Sequence, residues 1–382
     1  MKLSNRSKID SFIVMDVMEQ ARIEELSGRS IIHMEVGQPG TPAPISAIEA
    51  LKTKMNSEPL GYTVALGIPE LRKKISYLYK EWYDIELNPD RIIVTSGSSG
   101  AFILAFTALF DSYSRVGIGA PGYPSYRQIL KALDIEPVII KTSLEDKFQV
   151  TPRSILKENL DGLLVASPAN PTGSMLNFDE LKNLINNCNN KKISFISDEI
   201  YHGVEYNQKA VSALEISDDC YVINSFSKYF SMTGWRIGWM VVPENHIRQI
   251  ERLAQNMFIC APHSSQIAAV GALSSKDELK KNLDVYRINR KLMINGLKKA
   301  GFDQIAPPDG AFYIYADISK FSKDSLTFSK EMLKKAGVAI TPGLDFDSQR
   351  GNKTIRFSYA RTTDEVKEGI RRIIEYMENY SN

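Results

Sequence analysis

The chain has 382 residues, a formal net charge of +2 and 24% charged side chains, a balance that argues against an electrostatic nucleic-acid binder or a protein held on an anionic membrane. That length allows two or three domains with proper cores. The N-terminus MKLSNRSKIDSF is polar and no run approaches the ~18 apolar residues of a spanning helix, so a cytoplasmic protein is expected. Cys188, Cys220 and Cys260 are odd in number with no close pair, which suits reduced thiols rather than a disulfide or zinc framework. His33, His202, His246 and His263 show no metal-ligand spacing, and no metal is expected.

Residues 8 to 27 read as an amphipathic helix ending near Gly28, followed by an apolar strand from Ile31 to Val36. The loop Gly37 to Pro44 is too rich in Pro and Gly for regular structure and would border a site. GYTVALGIPELRKKI then reads as a turn leading into a helix at Pro69, where proline suits a first helical turn.

From there short β-rich runs alternate with helical ones. The runs are Ile92 to Thr95, Val116 to Ala120, Leu163 to Ala166, Ile193 to Ser197 and Val222 to Ser225, with helices such as 100 to 110, 125 to 133 and 178 to 188 between them. The alternation predicts an α/β fold with a mainly parallel sheet sandwiched by helices. A residue of interest follows each run: Ser98 and Ser99, Tyr123, Asn170, Asp198, then Ser225 with Lys228. Ligands of open α/β sheets bind beyond the carboxyl ends of the strands, so these residues could converge. Arg236 precedes its strand, Ile237 to Val242, and would reach the same edge if that strand ran antiparallel.

After about residue 275 the rhythm changes to a helix at 277 to 300, a strand in GAFYIYADI, a helix at 325 to 336, a strand in TIRFSYA and a closing helix with a capping box at Thr362 to Glu365. A smaller α+β domain of residues 1–44 and 276–382 is expected beside a large domain of residues 45–275.

The segment Tyr221 to Val242 holds two charged residues, Lys228 and Arg236, both cations. An isolated buried ammonium costs several kcal/mol, and a covalent imine removes that cost while making the lysine catalytic. Arg236, Ser225 and Ser227 supply donors suited to a phosphate. An imine beside a phosphate pocket points to pyridoxal phosphate.

SFSKYFSMTGWRIGW, ASPANPTG and SDEIY, with GYTVALGIPELR, TSGSSGA and APGYPSY in matching order, resemble the class I/II aminotransferases of the pyridoxal-phosphate fold-type I (aspartate aminotransferase) superfamily over about residues 31 to 360. The resemblance implies a seven-stranded sheet in the large, pyridoxal 5′-phosphate-binding domain. It implies that Lys228 forms the Schiff base and carries the proton between Cα and the cofactor, and that Asp198 keeps the pyridinium nitrogen protonated. Asn170 and Tyr201 would donate to the ring's phenolic oxygen, and Tyr123 would stack on the ring. Ser98, Ser99, Ser225, Ser227 and Arg236 would cup the phosphate. Tyr62 would reach the phosphate of a neighbouring subunit in a homodimer. Arg356 would take the substrate carboxylate as a fork, with Gly37 and Asn170 at the same edge. The expected reaction moves an amino group from an L-amino acid to a 2-oxo acid.

Alternatives are a β-eliminating lyase of the same fold and a non-catalytic pyridoxal-phosphate-binding protein. A dinucleotide enzyme is weakly signalled by GIGAPG at 117 to 122, where Pro121 and Pro124 interrupt the glycine-turn geometry. No second cation for a dicarboxylate is evident in the Gly37 to Pro44 loop or the Phe102 to Phe110 helix. A neutral or aromatic amino acid is therefore expected, with Arg361 the residue that could reverse this.

Overall fold

The structure, a computed structural model, describes residues 1–380. In chain order the elements are α1 (Ile13–Leu26), β1 (Ile32–His33), α2 (Ile45–Ser57), α3 (Pro69–Tyr83), β2 (Ile92–Thr95), α4 (Gly97–Leu109), β3 (Arg115–Ala120), α5 (Pro124–Ala132) and β4 (Glu136–Lys141). There follow β5 (Gly162–Ala166), α6 (Phe178–Asn190), β6 (Ser194–Asp198), β7 (Tyr221–Ser225), β8 (Gly238–Val241), α7 (Ile247–Met257), α8 (His263–Ala272) and α9 (Lys276–Lys299). The chain closes with β9 (Tyr313–Asp317), α10 (Ser325–Glu331), β10 (Val338–Ala339), β11 (Thr341–Pro342), β12 (Thr354–Ser358) and α11 (Thr363–Tyr380).

Seven strands form one sheet in the order β2-β8-β7-β6-β5-β3-β4. β8 is antiparallel to both neighbours, β2 and β7, while the remaining pairs are parallel. Successive side chains on a strand point to opposite faces, so a sheet covered on both sides must be apolar at nearly every position. Leu163, Val165, Val222 and Trp239 accordingly join one core cluster, whereas Leu164, Ile196, Ile223 and Met240 join another across the sheet. A second unit is the antiparallel sheet β11-β12-β9, packed with α9 and α11 around Phe312, Phe328 and Phe357. β1 runs parallel to β10, which stitches the N-terminal segment to this C-terminal unit.

The structure differs from the sequence reading in several elements. The first helix begins at Ile13 rather than near residue 8, because the Asp345 carboxylate accepts the Ile13 and Val14 N–H groups at 3.0 and 3.3 Å and so caps the helix from a distant turn. The strand expected from Ile31 to Val36 pairs in the ladder only at Ile32 and His33. Among the elements that went unrecognised are α2, β4, α7 and α8. β4 carries Pro137, a residue that suits an edge strand, and it lies at the sheet's edge. The glycines of GIGAPG serve packing: Gly117 lies within β3, where a Cβ would stand 2.9 Å from Leu160 and 3.0 Å from Leu163.

All strands of the large sheet except β8 deliver their carboxyl ends to one edge, and the antiparallel β8 begins there. The start of α4 lies so close to β8 that a Cβ on Gly238 would sit 2.8 Å from the Asn224 carbonyl and 3.0 Å from the Ser98 nitrogen. Both obstacles are backbone, so neither can rotate away. Gly238→Ala should therefore cost about 1–3 kcal/mol, as overpacking does, read as a lower urea midpoint; an unchanged midpoint would mean that α4 and β8 can separate freely.

Candidate active site

The turn after β7 is built to hold one side chain in place. The Ser225 hydroxyl accepts the Ser227 N–H at 3.0 Å and donates to the Ser227 hydroxyl at 2.9 Å. Phe226 packs against Phe230 and Trp239 with ring centroids 4.8 and 5.1 Å apart, giving the turn a rigid floor. From this turn the Lys228 amine donates to the Gly37 carbonyl at 2.6 Å and lies 5.7 Å from the Tyr201 ring centroid. Among the described residues it makes no ion pair with a carboxylate. Burial, aided by the positive charges of Arg356 and Arg236 and opposed by Asp198, lowers its pKa to about 7.

Gly37 can present that carbonyl only because it lacks a side chain: a Cβ there would collide with the Tyr313 hydroxyl. That hydroxyl is 2.7 Å from the Tyr201 hydroxyl, so the two phenols pin each other. Arg356, 3% exposed on β12, lies between the rings of Tyr313 and Phe346, at 4.3 and 4.7 Å from their centroids. Its guanidinium donates to Asn170 Oδ1 at 2.7 Å, to Thr341 Oγ1 at 3.2 Å and to the Glu35 carbonyl. Its buried Nε has no partner among the described residues, a donor left over for something else.

At the opposite end, α4 begins with Gly97 at φ +71°, where a Cβ would strike the Arg236 guanidinium. Ser98, Ser99 and Arg236 thus crowd one helix N-terminus, an arrangement that attracts anions. Asp198 ends β6 and is 2% exposed; burial pushes its carboxyl up to about 6, moderated by hydrogen bonds from Tyr126 and the Ile200 N–H. Tyr126 was missed in the sequence. The signal for it is spacing: it lies three residues beyond Tyr123 at the start of α5, and the rings meet edge to face at 5.2 Å.

A cavity of about 220 Å³ unites most of the candidates: Gly37, Ser98, Ser99, Tyr123, Asn170, Tyr201, Ser227, Lys228, Arg236 and Arg356 line it, with Tyr126. Ser225 and Asp198 are not in its wall; one supports Ser227 from behind, and the other is reached through Tyr126. Tyr62 is elsewhere, 84% exposed and outside its own chain's cavity. Arg361 is outside as well, paired with Glu365 at 3.1 Å.

Residues 29–373 match the family model for aminotransferase class I and II. The chain belongs to that family. This aminotransferase is 43% identical over 380 residues to the valine–pyruvate aminotransferase of Mycobacterium tuberculosis, covering 97% of each chain. It is 32% identical over 380 residues to the aspartate aminotransferase of Sulfurisphaera tokodaii, covering 96% of this chain and 94% of the other. A crystal structure of an aminotransferase from Mycobacterium tuberculosis superposes with a TM-score of 0.97 at 42% identity, covering 99% of this chain and all of that one. The enzyme is a pyridoxal-phosphate-dependent transaminase, and its cavity suits that cofactor: a helix N-terminus and Arg236 for a dianion, an aromatic wall at Tyr123 for a ring, and a near-neutral amine at Lys228.

With a pKa near 7, the Lys228 amine is protonated and unreactive below that pH and free above it. The rate at which cofactor-free protein captures pyridoxal phosphate through Lys228, trapped by borohydride and located by mass spectrometry, should rise through about pH 7 and then level off. A rate still climbing toward the ordinary lysine value of 10.5 would show that burial does not free the amine.

Proposed function

We propose that Lys228 both anchors the cofactor as a Schiff base and moves the proton that transamination requires. The observation that carries this reading is the near-neutral amine, held against the Gly37 carbonyl inside a wall that includes Arg236 and Arg356. Bound pyridoxal phosphate supplies an electron sink conjugated to the substrate's Cα. With the cofactor held there, Lys228 would be the group that takes the proton from the substrate's Cα and passes it on. A base works best with a pKa near the operating pH, and burial has brought the amine there.

The remaining roles follow from position. Arg356, with its spare Nε and its flat guanidinium between two rings, takes the substrate carboxylate beside Asn170 and Gly37. Ser98, Ser99, Ser225, Ser227 and Arg236 hold the phosphate, Tyr123 covers the ring, and Asn170 and Tyr201 donate to the phenolic oxygen. Asp198, kept ionised near neutral pH by its two donors, holds the ring nitrogen protonated. Residues 45–275 form the cofactor domain in this reading, and the terminal segments form the smaller one.

The assembly we infer is a cytoplasmic homodimer. Unpaired Cys188, Cys220 and Cys260 support a reducing compartment. Tyr62, Val64 and Ile259 are 84%, 58% and 49% exposed along segments joined by a Thr63 N–H to Cys260 Sγ contact, an apolar face suited to a second subunit whose cavity Tyr62 would complete. The Mycobacterium relative's name favours a valine-type donor with pyruvate as acceptor. No observation favours elimination.

Lys228→Ala should bind cofactor without a covalent link and lose activity by at least about 10²–10⁴-fold, the usual worth of a positioned base; near-normal turnover would refute the assignment. Arg356→Ala should raise KM for the amino donor by the equivalent of about 2 kcal/mol or more, and an unchanged KM would move the carboxylate site elsewhere.

A further inference from the structure

The roles above leave unused a cluster of titratable side chains behind the cavity wall. Glu199 and His202 follow Asp198 in the turn after β6, are 0% and 1% exposed, and share that turn with Tyr201. The His202 ring has two partners. Its Nε2 lies 2.9 Å from the Ser167 carbonyl, and its Nδ1 lies 2.5 Å from the hydroxyl of Tyr83, the last residue of α3. A carbonyl only accepts, so Nε2 carries the proton, and the bare Nδ1 accepts from Tyr83. Burial pushes the ring's pKa down to about 3, which keeps it neutral. The Lys209 ammonium, 5.1 Å from the Tyr83 ring centroid, also opposes any positive charge on His202. Glu199 stands 3.6 Å from Nδ1, but burial pushes its carboxyl up to about 8, so at neutral pH this contact joins two uncharged groups.

His202 thereby ties together two chain segments that the site needs in register. Ser167 opens the turn after β5, three residues before Asn170, and Pro168 and Pro171 stiffen that link because their rings fix φ. Asn170 gives its Oδ1 to Arg356 at 2.7 Å, which leaves its Nδ2 to donate elsewhere. Tyr201 is the residue before His202, its hydroxyl 2.7 Å from that of Tyr313. The two groups assigned to the phenolic oxygen thus stand on separate turns. Beyond the last ladder pair, Ala166 with Asp198, the backbone adds a 3.3 Å contact from the Ser167 N–H to the Asp198 carbonyl, and the His202 ring supplies the shorter bond.

We propose that His202 is a positioning residue that, steadied by Tyr83, fixes Asn170 and Tyr201 at the separation needed for both to donate to the cofactor's phenolic oxygen. This rests on the roles given to those two residues above. Hydrogen bonds to that oxygen draw off negative charge that otherwise holds a proton on the neighbouring Schiff-base nitrogen of Lys228. Weakening them therefore raises the pH at which that proton leaves.

The test is a pH titration of the visible absorption band of cofactor-loaded enzyme without substrate. His202→Asn keeps a polar group at the Nδ1 position but falls short of Ser167, whereas His202→Gln can place an amide N–H where Nε2 stood. The midpoint should rise by about 1 pH unit in His202→Asn, the equivalent of one weakened charge-assisted hydrogen bond, and stay within about 0.3 unit of the wild type in His202→Gln. An unshifted midpoint in His202→Asn, or equal shifts in the two variants, would overturn the proposal. Should neither variant fold, Tyr83→Phe decides: it removes the hydroxyl that steadies the ring and should move the midpoint upward, and no movement there would overturn the proposal as well. Tyr201→Phe is the control. If its midpoint stays at the wild-type value, the role given to Tyr201 fails and this proposal with it; a shift in Tyr201→Phe without one in His202→Asn sinks only the inference about His202.

Discussion

The site depends on one unfavourable condition, a lysine amine taken out of water with no carboxylate in ion-pair contact among the described residues. Desolvation and two guanidinium groups penalise its charged form together, so the amine prefers to be neutral near pH 7. Asp198 is pushed the other way by the same burial, up to about 6, and keeps its charge at neutral pH because Tyr126 and the Ile200 N–H donate to it. A base without its proton in the cavity wall thus coexists with an acid without its proton behind Tyr126. In the roles proposed for them, each serves its own end of a planar cofactor. Had Asp198 paired directly with Lys228, both would have remained charged and neither would be available.

Topology is what allows this separation. The parallel strands place Asn170, Asp198 and Lys228 at successive carboxyl ends, spaced by the width of a strand, while α4 brings a helix N-terminus to the far side. The antiparallel β8 then reverses the chain so that Arg236 arrives at the same edge from the opposite direction. Close approaches make the convergence tight, and they occur at glycines. Gly97 admits the Arg236 guanidinium, Gly238 admits the start of α4, and Gly37 admits the Tyr313 hydroxyl. A side chain at any of these would separate groups that must share a cavity.

Much of this was legible because the motif residues sit where strand periodicity changes to turn chemistry. Ser98, Tyr123, Asn170, Asp198 and Lys228 each follow an apolar run, and apolar runs of that length are readable without a structure. The direction of β8 was not readable, since antiparallel and parallel strands in a sheet covered on both faces carry the same pattern. β4 was hidden by Pro137, which speaks against a strand unless an edge is known to be vacant. The start of α1 was misplaced for another reason: its cap is Asp345, 332 residues away from Ile13, and no local signal can report it. Tyr126 had a local signal, three residues beyond Tyr123, but its importance lies in touching Asp198, which is a tertiary fact. The burial of Arg356 between two rings is likewise a tertiary fact that its strand TIRFSYA does not report.

That distant cap also shows how the small sheet contributes to the chemistry. β11 supplies Thr341 to the Arg356 guanidinium, and the turn after it supplies Asp345 to the N-terminus of α1 and Phe346 to the guanidinium's face. Glu35, just beyond β1, offers its carbonyl to the same guanidinium and to the Thr341 hydroxyl. The Arg356 guanidinium and the start of α1 are therefore both contacted by one short stretch, residues 341 to 346. Any shift of that stretch moves both together. A common brace of this kind keeps the guanidinium at a fixed distance from the N-terminal wall of the cavity, the kind of preorganisation a precisely oriented substrate requires.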